Sequence, residues 1–167
     1  MKYCAICHTA CNESILCERH KETYVYDPSI LGFRLKKRYS GYNSRYTGEK
    51  FHKNEIRLTK ILEGYYGKTN VITSYHPLWA VSVCGVLYEY DILIKDKHLL
   101  VEYNGRQHYE YTQFFHKNKL AFEEQKIRDK IKADLAKINS YSLVVFKHDE
   151  QLTDDYVLYK IRSCLDE

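Results

Sequence analysis

The chain has 167 residues and a mass of 20.0 kDa, which sets its scale at one ordinary domain, or one small domain with a short accessory module, and excludes a large multidomain machine. Hydrophobic residues make up 44% and charged residues 29%, enough to fill a core, so a globally disordered chain is excluded as well. Lys and Arg number 26 against 22 Asp and Glu, a net charge of +4 that suits a nucleic-acid partner without requiring one.

No apolar run approaches the roughly 18 residues that span a bilayer. The start Met1-Lys2-Tyr3-Cys4 has no signal-peptide core, so a soluble, cytoplasmic protein with no membrane partner is expected.

Cysteines are concentrated at the start: Cys4, Cys7, Cys11 and Cys17 precede residue 18, whereas Cys84 and Cys164 stand apart. Without a secretory signal, such clustering favours a metal over disulfides, and the two distant cysteines are expected to be small buried hydrophobes. Cys4-x2-Cys7 and, nine residues on, Cys17-x2-His20 present two chelating pairs to one tetrahedral ion. Thiolate and imidazole ligands suit zinc. His8 and Cys11 are rival ligands, and a redox-active cysteine pair is the rival chemistry. Residues 1–32 have little apolar periodicity, so this module needs the metal as a staple; a closed site of this kind scaffolds or contacts DNA rather than catalysing.

Residues 33–50 carry six basic residues against one acidic, interleaved with Tyr39, Tyr42 and Tyr46. This reads as a basic, aromatic linker able to neutralise phosphates and stack on bases, although a solvated flexible face is the plainer account.

From residue 51 onward the pattern is that of one mixed α and β domain, 51–167. Ile56, Leu58, Ile61 and Leu62 mark one face of a short helix that Gly64 and Gly67 help to end. Residues 71–83 and 86–103 are rich in β-branched and aromatic residues, as strands are. Leu120, Ile127, Ile131, Leu135 and Ile138 then recur at helical spacing, predicting an amphipathic helix of about five turns. Residues 141–146 read as a strand and 156–165 as a closing helix.

The segment Tyr88-Glu89-Tyr90-Asp91-Ile92-Leu93-Ile94-Lys95-Asp96-Lys97-His98-Leu99-Leu100-Val101-Glu102 has two apolar runs around a polar turn, a hairpin signature. A turn centred between Asp96 and Lys97 sets Ile94 against Leu99, Ile92 against Val101 and Asp91 against Glu102. Two carboxylates so close repel unless a cation lies between them. Oxygen ligands with open positions suit Mg²⁺ or Mn²⁺, which polarises phosphate and activates water. Taken singly, either acid would pass for a solvated strand residue. The continuation Glu102-Tyr103-Asn104-Gly105-Arg106-Gln107-His108-Tyr109 adds amide donors, a glycine that permits close approach and a histidine able to move protons near neutral pH. Asp129 and Lys132 lie three apart, on one side of the long helix. His52, His76, His116 and His148 are expected to be surface or core residues.

Asp91, Glu102 and the run through Tyr109 resemble the PD-(D/E)XK nuclease superfamily, most nearly its very-short-patch-repair-like branch, which includes the EDxHD group of phage homing endonucleases. The resemblance implies a restriction-endonuclease-like α/β fold, a mixed sheet flanked by helices. It further implies a helix glutamate, matched by Glu55 with Glu49 as rival, a strand aspartate, an acid-x-(Asp or Asn)-Gly-x-Gln-His segment, and a later Arg-Asp-x-x-Lys, matched by 128–132. Where the superfamily has lysine, two residues beyond Glu102, this chain has Asn104, which cannot take a proton and leaves His108 to do so.

The expectation is therefore a metal-dependent endonuclease acting on double-stranded DNA, of phage or mobile-element homing type, with a repair or restriction nuclease of the same fold as its enzyme rival. Glu55, Asp91 and Glu102 hold or orient Mg²⁺, His108 moves the proton, Asp129 completes the acidic cluster or orients His108, and Gln107 and Lys132 stabilise phosphate. Zinc is structural, and a homodimer on DNA is open. A catalytically degenerate zinc-dependent DNA-binding protein is the non-enzymatic rival, and an inert domain carrying a protein-interaction zinc module is a third class.

Overall fold

The computed structural model describes residues 2–6, 10–11, 15–35, 52–114 and 116–165, excepting the side chains at 2, 11, 19, 22, 35 and 52. Strands β1 (Lys2–Tyr3) and β2 (Ala10–Cys11) pair antiparallel, and helix α1 (Glu18–Thr23) runs directly into strand β3 (Tyr24–Asp27). Strand β4 (Gly32–Leu35), helix α2 (His52–Tyr66), strands β5 (Val71–Pro77), β6 (Tyr90–Ile94) and β7 (Leu99–Asn104), helix α3 (Lys119–Ile138), strand β8 (Ser142–Lys147) and helix α4 (Asp154–Leu165) follow. The sheet has six strands in the order β3-β4-β5-β6-β7-β8. Its pairs are antiparallel as far as β7, and β7 pairs parallel with β8, the connection that requires a crossover and receives α3.

Alternation along β7 explains the layering. Leu99 and Val101 pack with Leu58 and Leu62 of α2 and with Val157 and Ile161 of α4, while Leu100 packs with Tyr75, Tyr90, Leu93 and Ala136 of α3. The architecture is thus an α/β mixed sheet flanked by helices. A third, smaller core gathers Cys4, Leu16, Phe33 and Leu87, and Leu87 N donates to Ala5 O at 2.6 Å. Through it the start of the chain is fixed to the sheet, to which β3 and β4 belong.

The hairpin has the expected register: Ile92 pairs with Val101 and Ile94 with Leu99 across a 3-10 turn over Lys95–Lys97. The helix expected from Ile56 onward is α2, and Gly67, at φ +83°, provides its left-handed end. The strand expected over 71–83 stops at Pro77, because Leu78 N and Ala80 N turn back to Leu31 O and Pro77 O. Cys84 is exposed rather than buried, since it caps a tight turn closed by Ser82 N to Val86 O at 2.8 Å; Cys164 does pack against the main core.

Helix α3 departs furthest from expectation. Leu120, Ile127, Ile131 and Ile138 are 65%, 59%, 38% and 77% exposed, so most of the apolar stripe faces solvent. The sheet instead meets Asp129, Lys132 and Ala136. Tyr90 OH donates to Lys132 O at 2.8 Å and His108 Nδ1 lies 2.8 Å from Asp129 Oδ2, and these bonds fix the helix's rotation.

Candidate active site and metal cluster

Strand β6 loses its regular pairing at Asp91. In the β5–β6 ladder Thr73 pairs with Ile92 and Tyr75 with Tyr90, but the intervening Ser74 and Asp91 do not pair, and Ser74 sits at φ +53°. A serine in this left-handed region stores strain of the kind that collects at functional sites. On the other side the β6–β7 ladder stops at Ile92 and Val101, one step short of the Asp91–Glu102 pair expected from the turn. There Tyr103 N donates to Asp91 Oδ2 at 2.8 Å, so a side chain replaces the strand carbonyl. Tyr90, packed in the same cluster as Leu93, shows that alternation breaks at this point.

The acids around this opening interact strongly. Asp91 is raised above the ordinary carboxylate range, chiefly by burial and despite the Tyr103 N–H, with Lys132, Glu89 and His108 all acting on it. Glu102, buried, is pushed up to about 8 because desolvation outweighs the attraction of Lys132, whose Nζ lies 2.5 Å from Glu102 Oε1. Glu55, in the first turn of α2, is raised to about 7 by burial, Asp91 and Glu89. Lys132 also stands 5.0 Å over the Tyr90 ring.

His108 lies in a single 3-10 turn after β7 (Arg106–His108), and its bond to Asp129 engages Nδ1. Gln107 folds over Gly105, with its amide oxygen buried and unpartnered. A cleft of about 710 Å³ opens on the α2 side of Asp91, lined by Glu55, Glu89, Ser74, Tyr24, Arg34 and Lys60 among others.

The structure therefore joins Glu55, Asp91, Glu102, His108, Asp129 and Lys132 in one electrostatic cluster. Glu49 and the linker from residue 36 lie outside the described residues. The linker's first residues are committed elsewhere: Phe33 is buried and Arg34 Nε donates to Asp27 Oδ2 at 2.8 Å. Sequence reasoning gave no role to Glu89, which accepts from the Ser74 hydroxyl and lies 3.6 Å from His76 Nε2. Its position two residues before Asp91 was the available signal. Burial holds His76 down at about 4, so it is neutral, and buried His116 is bonded to Gln125 Oε1 at 3.0 Å.

Outside the cleft, Cys4 Sγ and Cys17 Sγ each lie 3.3 Å from His20 Nδ1, and the three ligand atoms are within 4.8 Å of one another. Bonds of about 2.3 Å to sulfur and 2.0 Å to nitrogen around a tetrahedral ion separate such ligands by about 3.5 Å, so the set fits zinc. Cys7 and His8 lie outside the described residues, as does the side chain of Cys11. Tyr24 connects this cluster to the cleft: its ring contacts those of His20 and His76, and its hydroxyl is 3.1 Å from Ser74 Oγ.

No family model matches the chain. No solved structure matches it either. It is similar to uncharacterized protein 307L of Invertebrate iridescent virus 6, 37% identical over 62 residues, which is 37% of this chain and 32% of that one. It is likewise similar to uncharacterized protein 033L of Invertebrate iridescent virus 3, 41% identical over 54 residues, 32% of this chain and 28% of that one. The chain spans about a third of the length of these relatives. Among the described residues no helix is long and apolar enough to cross a membrane.

Proposed function

We propose that this protein is a divalent-metal-dependent endonuclease acting on double-stranded DNA, with a restriction-endonuclease-like domain and a structural zinc site. The observation that carries this reading is the convergence, at the parting of β6 and β7, of buried Glu102 and half-buried Asp91 and Glu55, all of raised pKa, with one ammonium and a carboxylate-anchored histidine.

Asp91 and Glu102 would hold Mg²⁺ or Mn²⁺, with Glu55 beside them; the ion supplies Lewis acidity toward phosphate and water. Asp129, by engaging His108 Nδ1, fixes the tautomer and leaves Nε2 to take the proton of the attacking water, or to return one to the oxygen released as the P–O bond breaks. Lys132 stabilises charge on the phosphate. Gln107, with its unsatisfied amide oxygen, orients water. Cys4, Cys17 and His20, with Cys7 as the expected fourth ligand, hold zinc. The viral origin of the two relatives fits the homing-type, mobile-element carrier better than a host repair or restriction enzyme.

A second reading, a DNA-binding protein that no longer cuts, is favoured by Asn104, which offers no titratable group where the superfamily has lysine. One experiment separates the two. Zinc-loaded protein is incubated with supercoiled and linear duplex in Mg²⁺, Mn²⁺ or EDTA, beside Asp91→Asn and Glu102→Gln. Metal-dependent cutting abolished in both variants is the expected result. Retention of duplex without cutting by the parent establishes the second reading, and neither binding nor cutting removes both.

A further inference from the structure

We propose that the outer face of α3 is an interface between two copies of this chain, docked antiparallel about a two-fold axis. At 100° per residue, Leu120, Ile127, Ile131 and Ile138 fall within about 40° of one another around the helix. The opposite face is the one held to the sheet by the bonds of Asp129 and Lys132 O. Four large aliphatics share one exposed side of the helix, with the exposed acids Glu124 and Asp134 at its two edges.

The spacing identifies the occupant. Steps of seven, four and seven residues read the same in both directions, so an antiparallel copy sets Leu120 against the partner's Ile138 and Ile127 against the partner's Ile131. Such a contact closes on itself, as a two-fold interface must. The charges along one flank agree with that arrangement. Within two residues of the same register, Glu123 faces the partner's Lys137 and Lys126 faces the partner's Asp134, and each pair occurs twice by symmetry. Lys130 meets its own copy near the axis, where its long exposed stem lets the ammoniums diverge into water.

This inference is independent of the nuclease reading, because its readout is mass. Sedimentation equilibrium of the full, zinc-loaded chain over a concentration series should give a reversible dimer. Ile127→Glu should leave a monomer at concentrations where the parent is dimeric, with the parent's circular dichroism and the melting midpoint of the parent diluted to monomer. Glu123→Lys and Lys137→Glu, each alone, should weaken the dimer about fivefold, and the double reversal should restore it. A parent monomeric at every concentration, or a dimer indifferent to both Ile127→Glu and Ile131→Glu, overturns the proposal. Single charge reversals without effect overturn the antiparallel register.

Discussion

Lys132 Nζ and Glu102 Oε1 lie 2.5 Å apart, a contact between the crossover helix and the penultimate strand β7 that is largely shielded from water on both sides. Deleting one partner of such a pair leaves the other uncompensated. Lys132→Met is expected to cost about 3 kcal/mol of stability, seen in urea denaturation, and about a hundredfold in cutting rate at saturating metal.

The raised acids predict a particular pH dependence. Glu55 moves from an ordinary 4.5 to about 7 and Glu102 to about 8, so between those limits the folded metal-free protein binds more protons than the unfolded chain. Its stability therefore falls as pH rises from about 4.5 to about 8, with Glu55 alone worth about 3 kcal/mol over its part of that interval. Ionisation is also what a cation requires, so Mg²⁺ affinity should rise over the same window and binding should release protons. Thermal melts against pH with and without Mg²⁺, and calorimetry in two buffers of different ionisation enthalpy, check both halves. Glu55→Gln should flatten the lower part of the melting profile.

A Cβ at Gly105 would collide with the Gln107 amide. Gly105→Ala should displace that side chain and lower the cutting rate about tenfold, and Gly105→Ala combined with Gln107→Ala should lose no more than Gln107→Ala alone. Gly64, inside α2 with open space where a Cβ would stand, is the control: Gly64→Ala should stabilise by about 1 kcal/mol.

Zinc removal should be felt at the cleft. The Cys4 and Cys17 thiols share a small core with Phe33 and Leu87, and Tyr24 bridges His20 to Ser74. Chelation or Cys17→Ser is therefore expected to lower the melting midpoint and the cutting rate together, and cobalt substitution should give a thiolate charge-transfer band that is weaker in Cys17→Ser. Exposed Cys84→Ser should leave all three unchanged.

How much was legible in the sequence follows from which interactions are local. The β6–β7 hairpin and its register could be read because turn chemistry and alternation are encoded within about a dozen residues, and α2 and α4 because their apolar faces do meet the core. The rotation of α3 could not be read from its periodicity. Its sheet-facing side is set by Tyr90 and His108, which are distant in sequence, and polar contacts overrode an apolar stripe. The same holds at Asp91. Spacing brought it opposite Glu102, but the interrupted ladder and the Ser74 conformation depend on β5, and Glu89 became visible only once Ser74 and His76 stood beside it.

The single parallel junction in the sheet has a kinetic consequence. Strands β5 to β7 follow one another as antiparallel neighbours with no α-helix between them, whereas β8 joins β7 only after the whole of α3 has been made and laid back. Contacts of long sequence separation form late. Asp91 and Glu102 therefore belong to the early part of the fold, and Asp129 and Lys132 arrive with the closing crossover. A chain still emerging from the ribosome holds its acids without their counter-charges, and gains the complete constellation only when β8 docks.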